Sequence, residues 1–552
     1  MAKQLSVIPL GGVTEIGKNM FVIRYGDDII IIDSGLMFPE EEMLGIDIVI
    51  PDMTYLFENK KRIKGVFLTH GHEDHIGSLS YLLREVDVPV YGTGLTLAIV
   101  SSKLEENKVE FKSGLREVMP GDKIKAGAVQ VEYIRINHSI PGGAALAVHT
   151  PAGIILHSGD FKFDQTPIDG RVADFPRLAE LGNKGVLMLI CDTTNADSPG
   201  YTPSERGVRD TLEQLIKQAE QRVLVTTFAS NVHRIQQVID ISYRNGRKVA
   251  VAGRSMTNII DKAAGLGYIE IPSDTIIDLN QIDDYPRDRV TILTTGSQGE
   301  PMSALTRIAM QEHKKVDVAP GDLVIISASC IPRNETMVSR TINYLFKRGA
   351  DVITDEMMEV HVSGHASQEE IKMMINLVRP RYVMPFHGEY RHMAAFTRIT
   401  MDIGIPKEHV FICEPGDVVS FKDCIGAITG QVTAGDVLVD GLGVGDVSEV
   451  VLRDRMHLAS DGVVIIVLTV ERGTGRILAG PDIISRGFIY EKESEEILEE
   501  AKNRLSQALA EFERQQVTDW SAVKTRMREI MSRFLKERTR RRPMLMPIVM
   551  EV

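Results

Sequence analysis

The residues best suited to chemistry in this chain form one hexapeptide, His70-Gly71-His72-Glu73-Asp74-His75. It follows the apolar run GVFLT, which is typical of a buried strand. Imidazole nitrogens and carboxylate oxygens are ligands that zinc and similar ions accept. Burying each of these polar groups without a partner costs free energy, so a bound metal explains the cluster better than a polar turn does. The hexapeptide therefore predicts a metal site at the end of a strand.

Three more titratable residues follow apolar runs and have small neighbours. They are His138 in INHSIPGG, Asp160 in LHSGDFKF and His387 in MPFHGEY. Any one of them alone fits an ordinary polar turn as well as it fits a ligand. Together with the hexapeptide, they predict that several strand ends meet on one rim of a sheet, around a site for two metal ions. Asp33, in IIDSG, is either a partner of a metal-bound histidine or a turn residue.

The pattern of predicted strands and helices that must position these residues changes along the chain. Short apolar runs and Gly-rich turns fill the first 200 residues or so, with helical stretches such as His75–Glu85 between some of them. This pattern predicts sheets packed in a sandwich with helices outside. From about 205 to 368, apolar strands alternate with helices, which predicts a parallel sheet covered by helices. The first pattern returns at about 369, so we interpret the middle segment as an insertion. The last hundred residues combine a hairpin, two helices and a final apolar run, which predicts a small α+β module.

The composition bounds the class of protein. A length of 552 residues exceeds what one hydrophobic core usually serves, so several domains are expected. The net charge of −13 argues against a general polyanion binder, although a local groove or bound metal ions would suffice for nucleic acid. The cysteines are scattered and form no CxxC pair, which favours a cytoplasmic protein without disulfides. We expect no signal peptide and no membrane association.

At this point the sequence resembles a known fold family. HGHEDH matches the HxHxDH signature of the metallo-β-lactamase fold, and His138, Asp160 and His387 match its later ligand motifs. The resemblance implies an αβ/βα sandwich with two zinc ions, which manganese or magnesium can replace. It assigns one ion to His70, His72 and His138 and the other to Asp74, His75 and His387, with Asp160 bridging them. The fold hosts many activities, so the signature alone does not identify a substrate.

The inserted segment narrows the resemblance. It looks like the β-CASP insertion of nucleic-acid-processing enzymes, whose added motifs are met by Asp192 in ICDTTNA, His365 in HVSGHAS and His387 in FHGEYRH. The sequence resembles bacterial ribonuclease J over nearly the whole chain. The motifs that carry this resemblance are GGVTEIGKNM, DSGLMFPE, TTGSQGEPMSAL and PFHGEYRHM. The expected domains are therefore a metallo-β-lactamase domain over 1–204 and 369–445, a β-CASP insertion over 205–368, a linker over 446–460 and a C-terminal α+β domain over 461–552.

The resemblance implies phosphodiester hydrolysis. Two metal ions roughly 3.5–4 Å apart ionise a shared water, and the resulting bridging hydroxide attacks phosphorus. The leaving 3′ oxygen needs a proton, which we expect from His365, with Asp192 orienting it or sharing the proton. His365 also lies near a capping box formed by Ser367 and Glu370, so its loop has a structural role as well.

Two loops are expected to bind RNA phosphates. One is residues His361, Val362, Ser363, Gly364 and His365, and the other ends at Ser230 and Asn231; both precede helices, whose N-termini attract anions. Helix capping alone explains Ser and Asn at these positions equally well. In the resembled family these loops hold a terminal 5′-monophosphate. The resemblance also suggests a calcium site at Asp47 and Asp440.

The sequence thus predicts a zinc-dependent ribonuclease that degrades single-stranded RNA in the 5′→3′ direction and also cuts internally. We expect a homodimer or homotetramer, with a paralogue or other RNA-decay proteins as further partners. The alternatives are a β-CASP nuclease that acts on DNA, a small-molecule hydrolase and a scaffold of an RNA-decay assembly. The complete ligand set disfavours a scaffold as the sole role.

Overall fold

The computed structural model describes residues 4–40, 42–298, 302–330, 334–441, 443–474, 476–489, 491–514 and 519–552. By their backbone contacts they divide into two compact units, Met1–Phe38 with Ile48–Val437 and Pro39–Asp47 with Leu438–Val552. In the part of the chain so described, no helix is long and apolar enough to cross a membrane.

The first unit begins with a strand-rich region. Its strands are β1 Leu5–Gly11, β2 Met20–Tyr25, β3 Asp28–Ile32, β4 Ile48–Pro51, β5 Ile63–Phe67, β6 Val90–Gly92, β7 Leu115–Glu117, β8 Lys123–Ala126, β9 Val129–Arg135, β10 Ala144–Thr150, β11 Gly153–His157 and β12 Val186–Asp192. Its helices are α1 Thr54–Glu58, α2 Glu73–Ile76, α3 Leu79–Glu85, α4 Gly94–Glu106 and α5 Phe175–Lys184, with a 3-10 helix at Lys60–Arg62.

The insertion follows. Its helices are α6 Glu205–Gln218, α7 Val232–Arg244, α8 Arg254–Gly265, α9 Ala304–Ala309 and α10 Glu335–Lys347, with 3-10 helices at Leu279–Asp284 and Arg287–Arg289. Its strands are β13 Val223–Thr226, β14 Lys248–Ala252, β15 Ile276–Ile277, β16 Val290–Thr294, β17 Leu323–Ile326 and β18 Asp351–Ile353. They form a sheet in the order β15-β14-β16-β13-β17-β18 in which the pairings are parallel. The predicted parallel, helix-covered sheet is confirmed.

The chain then returns to the first region through α11 Gln368–Val378, β19 Tyr382–Phe386, α12 Tyr390–Asp402, a 3-10 helix at Lys407–His409, β20 Asp417–Lys422 and β21 Ile425–Gln431. One sheet has the order β21-β20-β1-β2-β3-β5-β6-β7 and a second has the order β19-β12-β11-β10-β9-β8. Strands from both ends of this unit therefore complete the same two sheets, as expected for a domain that carries an insertion.

Alternating side chains of the first sheet explain the sandwich. Ile30 and Ile32 of β3 pack into a core that also contains Val131 of β9 and Leu146 of β10, from the second sheet. The intervening Ile29 and Ile31 pack into a different core with residues of helices α3 and α4. Both faces of the strand are buried, so its sequence is continuously apolar. The second sheet likewise has an outer core, shared with helices α5, α11 and α12. This arrangement confirms the predicted αβ/βα sandwich.

The remaining elements are β22 Asp436–Asp440, β23 Gly443–Val444, α13 Glu449–Asp461, β24 Val463–Val470, β25 Ile477–Arg486, α14 Glu491–Arg514, α15 Trp520–Thr539 and β26 Met544–Glu551. Strand β24 lies between β25 and β26, antiparallel to the first and parallel to the second. Apolar residues of α14 and α15 cover the face formed by Val464, Ile466 and Leu468. The predicted α+β module with a returning final strand is confirmed.

Two predicted details differ from the structure. The segment 446–460, expected to be a linker, is largely helix α13, because the segment contains no Gly or Pro that would interrupt a helix. The helix ends at Gly462, whose φ is 73°. The helix expected over His75–Glu85 is broken into α2 and α3 at Gly77 and Ser78. A Cβ atom at Gly77 would lie 2.4 Å from the side chain of Leu36, so the packing there requires glycine. The predicted domain boundaries themselves remain predictions.

Candidate metal centre

The hexapeptide lies directly beyond strand β5. Its His72 precedes the short helix α2, and Asp74 and His75 lie in the first turn of that helix. Backbone bonds fix the turn from the other side, because Ser34 N donates to His75 O and Leu36 N donates to Glu73 O. A Cβ atom at Gly35 would lie 1.7 Å from Asp74 O, so the DSG turn needs a glycine for this close approach. The local packing therefore presents the titratable side chains of the hexapeptide to one side.

The second sheet supplies the remaining groups from the ends of its strands. Asp160 follows β11, Asp192 is the last residue of β12 and His387 follows β19. These three strands are parallel neighbours, so their carboxyl ends share one edge of the sheet. His138 follows the end of β9 in the same sheet. The structure thus brings the predicted residues of four strand ends to the hexapeptide.

His70, His72, His138 and Asp160 form one set of ligand atoms. His72 Nδ1 lies 3.1 Å from His70 Nε2 and 3.1 Å from His138 Nε2. Asp160 Oδ2 lies 3.6 Å from His70 Nε2 and 3.8 Å from His138 Nε2. All four residues offer an atom within 4.8 Å of one another, which suits a single ion.

Asp74, His75, His387 and the same Asp160 form a second set. Asp160 Oδ2 lies 3.1 Å from His75 Nε2, and Asp74 Oδ2 lies 2.9 Å from His387 Nε2. Asp160 Oδ1 lies 3.3 Å from His387 Nδ1. Because Asp160 belongs to both sets, its carboxylate is placed to bridge two ions.

In three histidines the Nδ1 atom, which points away from the cluster of ligand atoms, lies beside a hydrogen-bond acceptor of the protein. His75 Nδ1 lies 2.8 Å from Asp33 Oδ2, and His138 Nδ1 lies 2.8 Å from Gly364 O. His70 Nδ1 lies 3.0 Å from Thr69 Oγ1, which itself donates to Asp33. Such partners fix the ring tautomer and leave the other nitrogen with a lone pair for a metal. Asp33 therefore supports a histidine, which was one of its two sequence interpretations.

The electrostatics of the two sets differ. Burial and neighbouring imidazoles hold the pKa values of His70 and His138 well below their usual range, and burial lowers the pKa of His72 to about 4. These three rings are neutral, as metal ligands must be. Burial also lowers the pKa of His387, but the carboxylates of Asp160 and Asp74 outweigh it and raise that pKa to about 10. The two carboxylates of the second set therefore stabilise positive charge beside them.

The donor chemistry fits a metal pair. Three ring nitrogens with lone pairs face one another at close range, and no proton-sharing scheme among neutral rings satisfies all of them. Asp160 Oδ1 and His387 Nε2 are buried and make no hydrogen bond of standard geometry. Ions between these atoms would satisfy them all.

The predicted catalytic pair lies beside this centre. His365 Nδ1 lies 2.8 Å from Asp192 Oδ2 and 4.0 Å from Asp160 Oδ2. The other oxygen of Asp192 accepts hydrogen bonds from the backbone N–H and the hydroxyl of Thr194, at 2.9 Å each. Burial lowers the pKa of His365, but the carboxylates of Asp192 and Asp160 together outweigh it, so the pKa is raised. The pair therefore holds a proton next to the proposed ions.

The predicted phosphate loops show the helix-capping role that the sequence also offered for them. The capping box of Ser367 and Glu370 is confirmed at the start of α11, and Asn231 caps α7 by accepting from Arg234 N at 3.1 Å. Ser363 accepts hydrogen bonds from Asn195 and from His365 N. His361 Nδ1, in contrast, is buried and makes no hydrogen bond.

Two other residues of these loops lie close to the core or the centre. Val362 is buried, and a Cβ atom at Gly364 would lie 2.7 Å from His138 Cε1, so the loop packs against a ligand of the first set. Ser230 is half-buried before α7. The substrate-binding role of both loops stays a prediction. Residues 299–301 of the motif TTGSQGEPMSAL lie outside the described residues.

The predicted calcium ligands are engaged with protein groups. Asp47 Oδ2 accepts a hydrogen bond from Gly441 N at 2.8 Å, and Asp440 Oδ2 forms an ion pair with Arg455 at 2.5 Å. The calcium site stays a prediction.

Sequence reasoning missed several buried polar residues that complete the site. Thr69 and Thr194 hold Asp33 and Asp192, and Asn19 places its amide nitrogen 3.0 Å from His75 Nε2. It also missed a cavity of about 320 Å³ whose lining includes His138, Lys162 and His233. The sequence signal for Asn19 was a polar residue directly before an apolar strand, within the quoted motif GGVTEIGKNM.

Family models match most of the chain. The metallo-β-lactamase superfamily matches residues 13–226, and the ribonuclease J β-CASP domain matches residues 220–345. The Zn-dependent metallo-hydrolase RNA specificity domain matches residues 353–412, and the ribonuclease J C-terminal domain matches residues 450–552. These matches agree with a sandwich domain that carries a β-CASP insertion and is followed by a C-terminal domain.

Known relatives are similar over the whole chain. Ribonuclease J2 of Bacillus subtilis strain 168 is 44% identical over 550 residues, which is 100% of this chain and 99% of that protein. Ribonuclease J 1 of Streptococcus pyogenes serotype M3 is 43% identical over 547 residues, covering 99% and 98% of the two chains. A crystal structure of a protein of unknown function from Enterococcus faecalis V583 is 18% identical with a TM-score of 0.55, and it covers 76% of this chain and 100% of that one. This last similarity supports the fold alone.

Proposed function

The chain belongs to the ribonuclease J family, and from this premise we propose that it is a zinc-dependent ribonuclease. In this proposal it degrades single-stranded RNA from the 5′ end, favours a 5′-monophosphate and also cuts internally. The observation that carries the proposal is the convergence of two sets of ligand atoms on one shared carboxylate, Asp160.

We assign two zinc ions to these sets, with manganese or magnesium as substitutes. His70, His72 and His138 hold one ion, Asp74, His75 and His387 hold the other, and Asp160 reaches both. When bound, such a pair supplies Lewis acidity, which makes water a better nucleophile and offsets charge on the phosphate. The neutral imidazoles of the first set and the carboxylates of the second support this assignment.

His365 supplies the proton to the leaving 3′ oxygen in this proposal. Its Nδ1 faces Asp192, so its other ring nitrogen is the one that delivers the proton. Asp192, held by Thr194, keeps the ring oriented and stabilises its protonated form. The products then carry a 5′-phosphate, which is the end that the next round of cleavage requires.

The 5′ end is proposed to bind between the two predicted loops, at His361, Ser363 and Gly364 of one and at Ser230 and Asn231 of the other. Helices α7 and α11 start directly after these loops, and helix N-termini favour phosphate. The buried and unsatisfied Nδ1 atom of half-buried His361 offers a further polar contact. A cavity of about 320 Å³ beside His138 is of a size that suits a small ligand such as one nucleotide.

RNA is favoured over DNA by the matched RNA specificity domain and by the ribonuclease names of the relatives. The test is cleavage of one 5′-labelled strand, as RNA and as DNA, with a 5′-monophosphate or a 5′-triphosphate. We expect labelled mononucleotide from the first time point, faster release from the monophosphate, and no reaction in EDTA. Equal rates at both 5′ ends would remove the end-sensing claim, and equal rates on DNA would favour the DNA nuclease.

We also propose self-association, as a homodimer or homotetramer, through the open face of the C-terminal sheet. Met546, Ile548 and Met550 alternate along β26 and are 40–46% exposed, and they lie beside the half-buried Ile465 and Val467 of β24. Apolar patches of this kind commonly mark protein contacts. Light scattering of M546E/I548E should show a smaller assembly than the unchanged chain; an unchanged mass would reject this face.

Three smaller assignments complete the proposal. Among the described residues, Cys191, Cys413 and Cys424 form no disulfide bond, which supports a cytoplasmic protein. Further partners are a paralogue or other RNA-decay proteins. Asp47 and Asp440 remain the proposed calcium ligands, and calcium-dependent stabilisation of the chain in a thermal melt would support them.

A further inference from the structure

The buried side chain of Asn19 lies against the second set of ligand atoms. Its Nδ2 atom is 3.0 Å from Nε2 of His75, and its side chain has no exposed surface. Metal binding by His75 Nε2 leaves this amide unexplained, because a ring nitrogen that binds a metal has no second lone pair to accept a hydrogen bond.

The backbone of Asn19 is fixed relative to the centre. Its N–H donates to Asp74 O at 3.0 Å, and its carbonyl accepts from Gly35 N at 3.0 Å. The preceding Lys18 is also fully buried and forms ion pairs with Glu15 and Asp436. The carboxamide can therefore turn about its own bond but cannot swing away from His75.

The hydrogen bonds favour an oxygen at the position that faces His75. Asp33 accepts from His75 Nδ1, so the lone pair of His75 is on Nε2 and points to Asp160. An amide N–H at 3.0 Å competes for that lone pair. The other end of the carboxamide, Oδ1, is buried and accepts no hydrogen bond. A half-turn of the group exchanges these two atoms and places the unsatisfied oxygen beside His75 Nε2.

The spacing is that of two ligands on one ion. Ligand atoms about 2.1 Å from a metal lie roughly 3.0 Å apart when they are at right angles, as in octahedral coordination. The Asn19 amide atom is 3.0 Å from His75 Nε2, and Asp160 Oδ2 is 3.1 Å from the same nitrogen. We propose that the carboxamide oxygen of Asn19 is an additional ligand of the ion held by Asp74, His75, Asp160 and His387.

This inference rests on the proposed metal pair and makes a distinct statement about it. A further oxygen raises the coordination number of the second ion and makes its ligand set harder. Harder oxygen ligands and octahedral geometry suit manganese and magnesium better than zinc, which prefers four ligands. Asn19 therefore favours Mn²⁺ at the second metal position, and replacing Asn19 lowers the affinity of that position for Mn²⁺ more than its affinity for Zn²⁺.

The experiment is titration of the full-length, chelator-treated protein with Mn²⁺, followed by electron paramagnetic resonance of the free ion. It compares the unchanged chain with N19A, N19D and a control, N107A, in which an exposed amide that caps α4 is removed. We expect two Mn²⁺ per unchanged chain, and a loss of tenfold or more in affinity for one of them in N19A. N19D should bind at least as tightly as the unchanged chain, because it keeps an oxygen and adds charge.

The outcomes separate the two proposals. If the unchanged chain binds no Mn²⁺, the proposal of a metal pair is itself rejected. Two tight ions in N19A would reject Asn19 alone and leave the pair intact. An equal loss in N19A and N19D would also reject it, because an Asp that cannot replace the Asn shows that the N–H group matters. Thermal melts of the metal-free variants check folding, and N19D decides the question if N19A does not fold.

Discussion

The Nδ1 atom of His365 lies 2.8 Å from Oδ2 of Asp192, and neither residue belongs to the proposed metal ligands. Burial lowers the pKa of His365, whereas Asp192 and Asp160 together raise it by more, so the imidazolium is stabilised beside the candidate metal centre. Asp192 has no freedom to turn away, since Thr194 holds its other oxygen. The pair is therefore built to keep a proton where a leaving oxygen would need it.

Replacing Asp192 with Asn should lower kcat by roughly 10²- to 10⁴-fold while Mn²⁺ affinity changes little. The folded pKa of His365 is raised, so the protonated acid is present at low pH and is lost as pH rises through that pKa. Removing the carboxylate lowers the pKa, so the alkaline limb of the kcat profile should move to lower pH. D197N is the control, because Asp197 pairs with exposed Arg391 outside the centre. An alkaline limb that does not move would contradict the role of the pair.

Asp160 belongs to both proposed ligand sets, and each of the other residues in these two sets belongs to one of them. D160A should therefore lose both ions. H70A and H387A should each keep the ion of the set that is unchanged and bind the other ion with lower affinity. Plasma mass spectrometry of the dialysed proteins gives the number of ions per chain. A single ion retained by D160A would show that this carboxylate does not bridge.

Gly364 lies so close to His138 that a Cβ atom would come within 2.7 Å of the ring. G364A should displace a ligand of the first set, and we expect Mn²⁺ affinity and cleavage rate to fall by about tenfold or more. G265A is the matched control, since a Cβ atom there meets nothing within 4 Å and the position is helical. Normal metal binding in G364A would mean that the loop moves without disturbing His138.

Glu132 on β9 is a buried carboxylate that contacts Arg177 at 2.6 Å and His149 at 2.8 Å. Burial raises the pKa of Glu132, but these hydrogen bonds lower it by more. Its stabilising effect is thus complete above the ordinary value of 4.5 and is lost as pH falls through the lowered pKa. E132Q should lower the melting temperature at neutral pH by roughly 3 to 5 °C.

The control for Glu132 is E180Q, which removes the exposed partner of the same Arg177. Its melting temperature should change by about 1 °C or less. Calorimetry at pH 7 and at pH 3 checks the sign, because the difference between E132Q and the unchanged chain should shrink in acid. A difference that grows in acid would contradict the pKa direction.

The convergence of His138, Asp160 and His387 was predictable, because each follows an apolar run and the ends of parallel strands meet at one edge of a sheet. The supporting residues were not. Thr69 and Asn19 acquire their roles from partners that lie far away in the sequence, Asp33 and His75, and a short-range pattern carries no such information. The break at Gly77 was missed for the same reason, since it depends on the side chain of Leu36. Helix α13 was missed because its exposed residues lack an apolar stripe.

The most direct test of the account is anomalous diffraction from crystals of the full-length protein soaked in Mn²⁺. We predict two peaks per chain, about 3.5 to 4 Å apart, one among His70, His72 and His138 and the other among Asp74, His75 and His387, with Asp160 between them. A single peak, or peaks remote from these side chains, would contradict the two-ion centre from which the proposed hydrolysis follows.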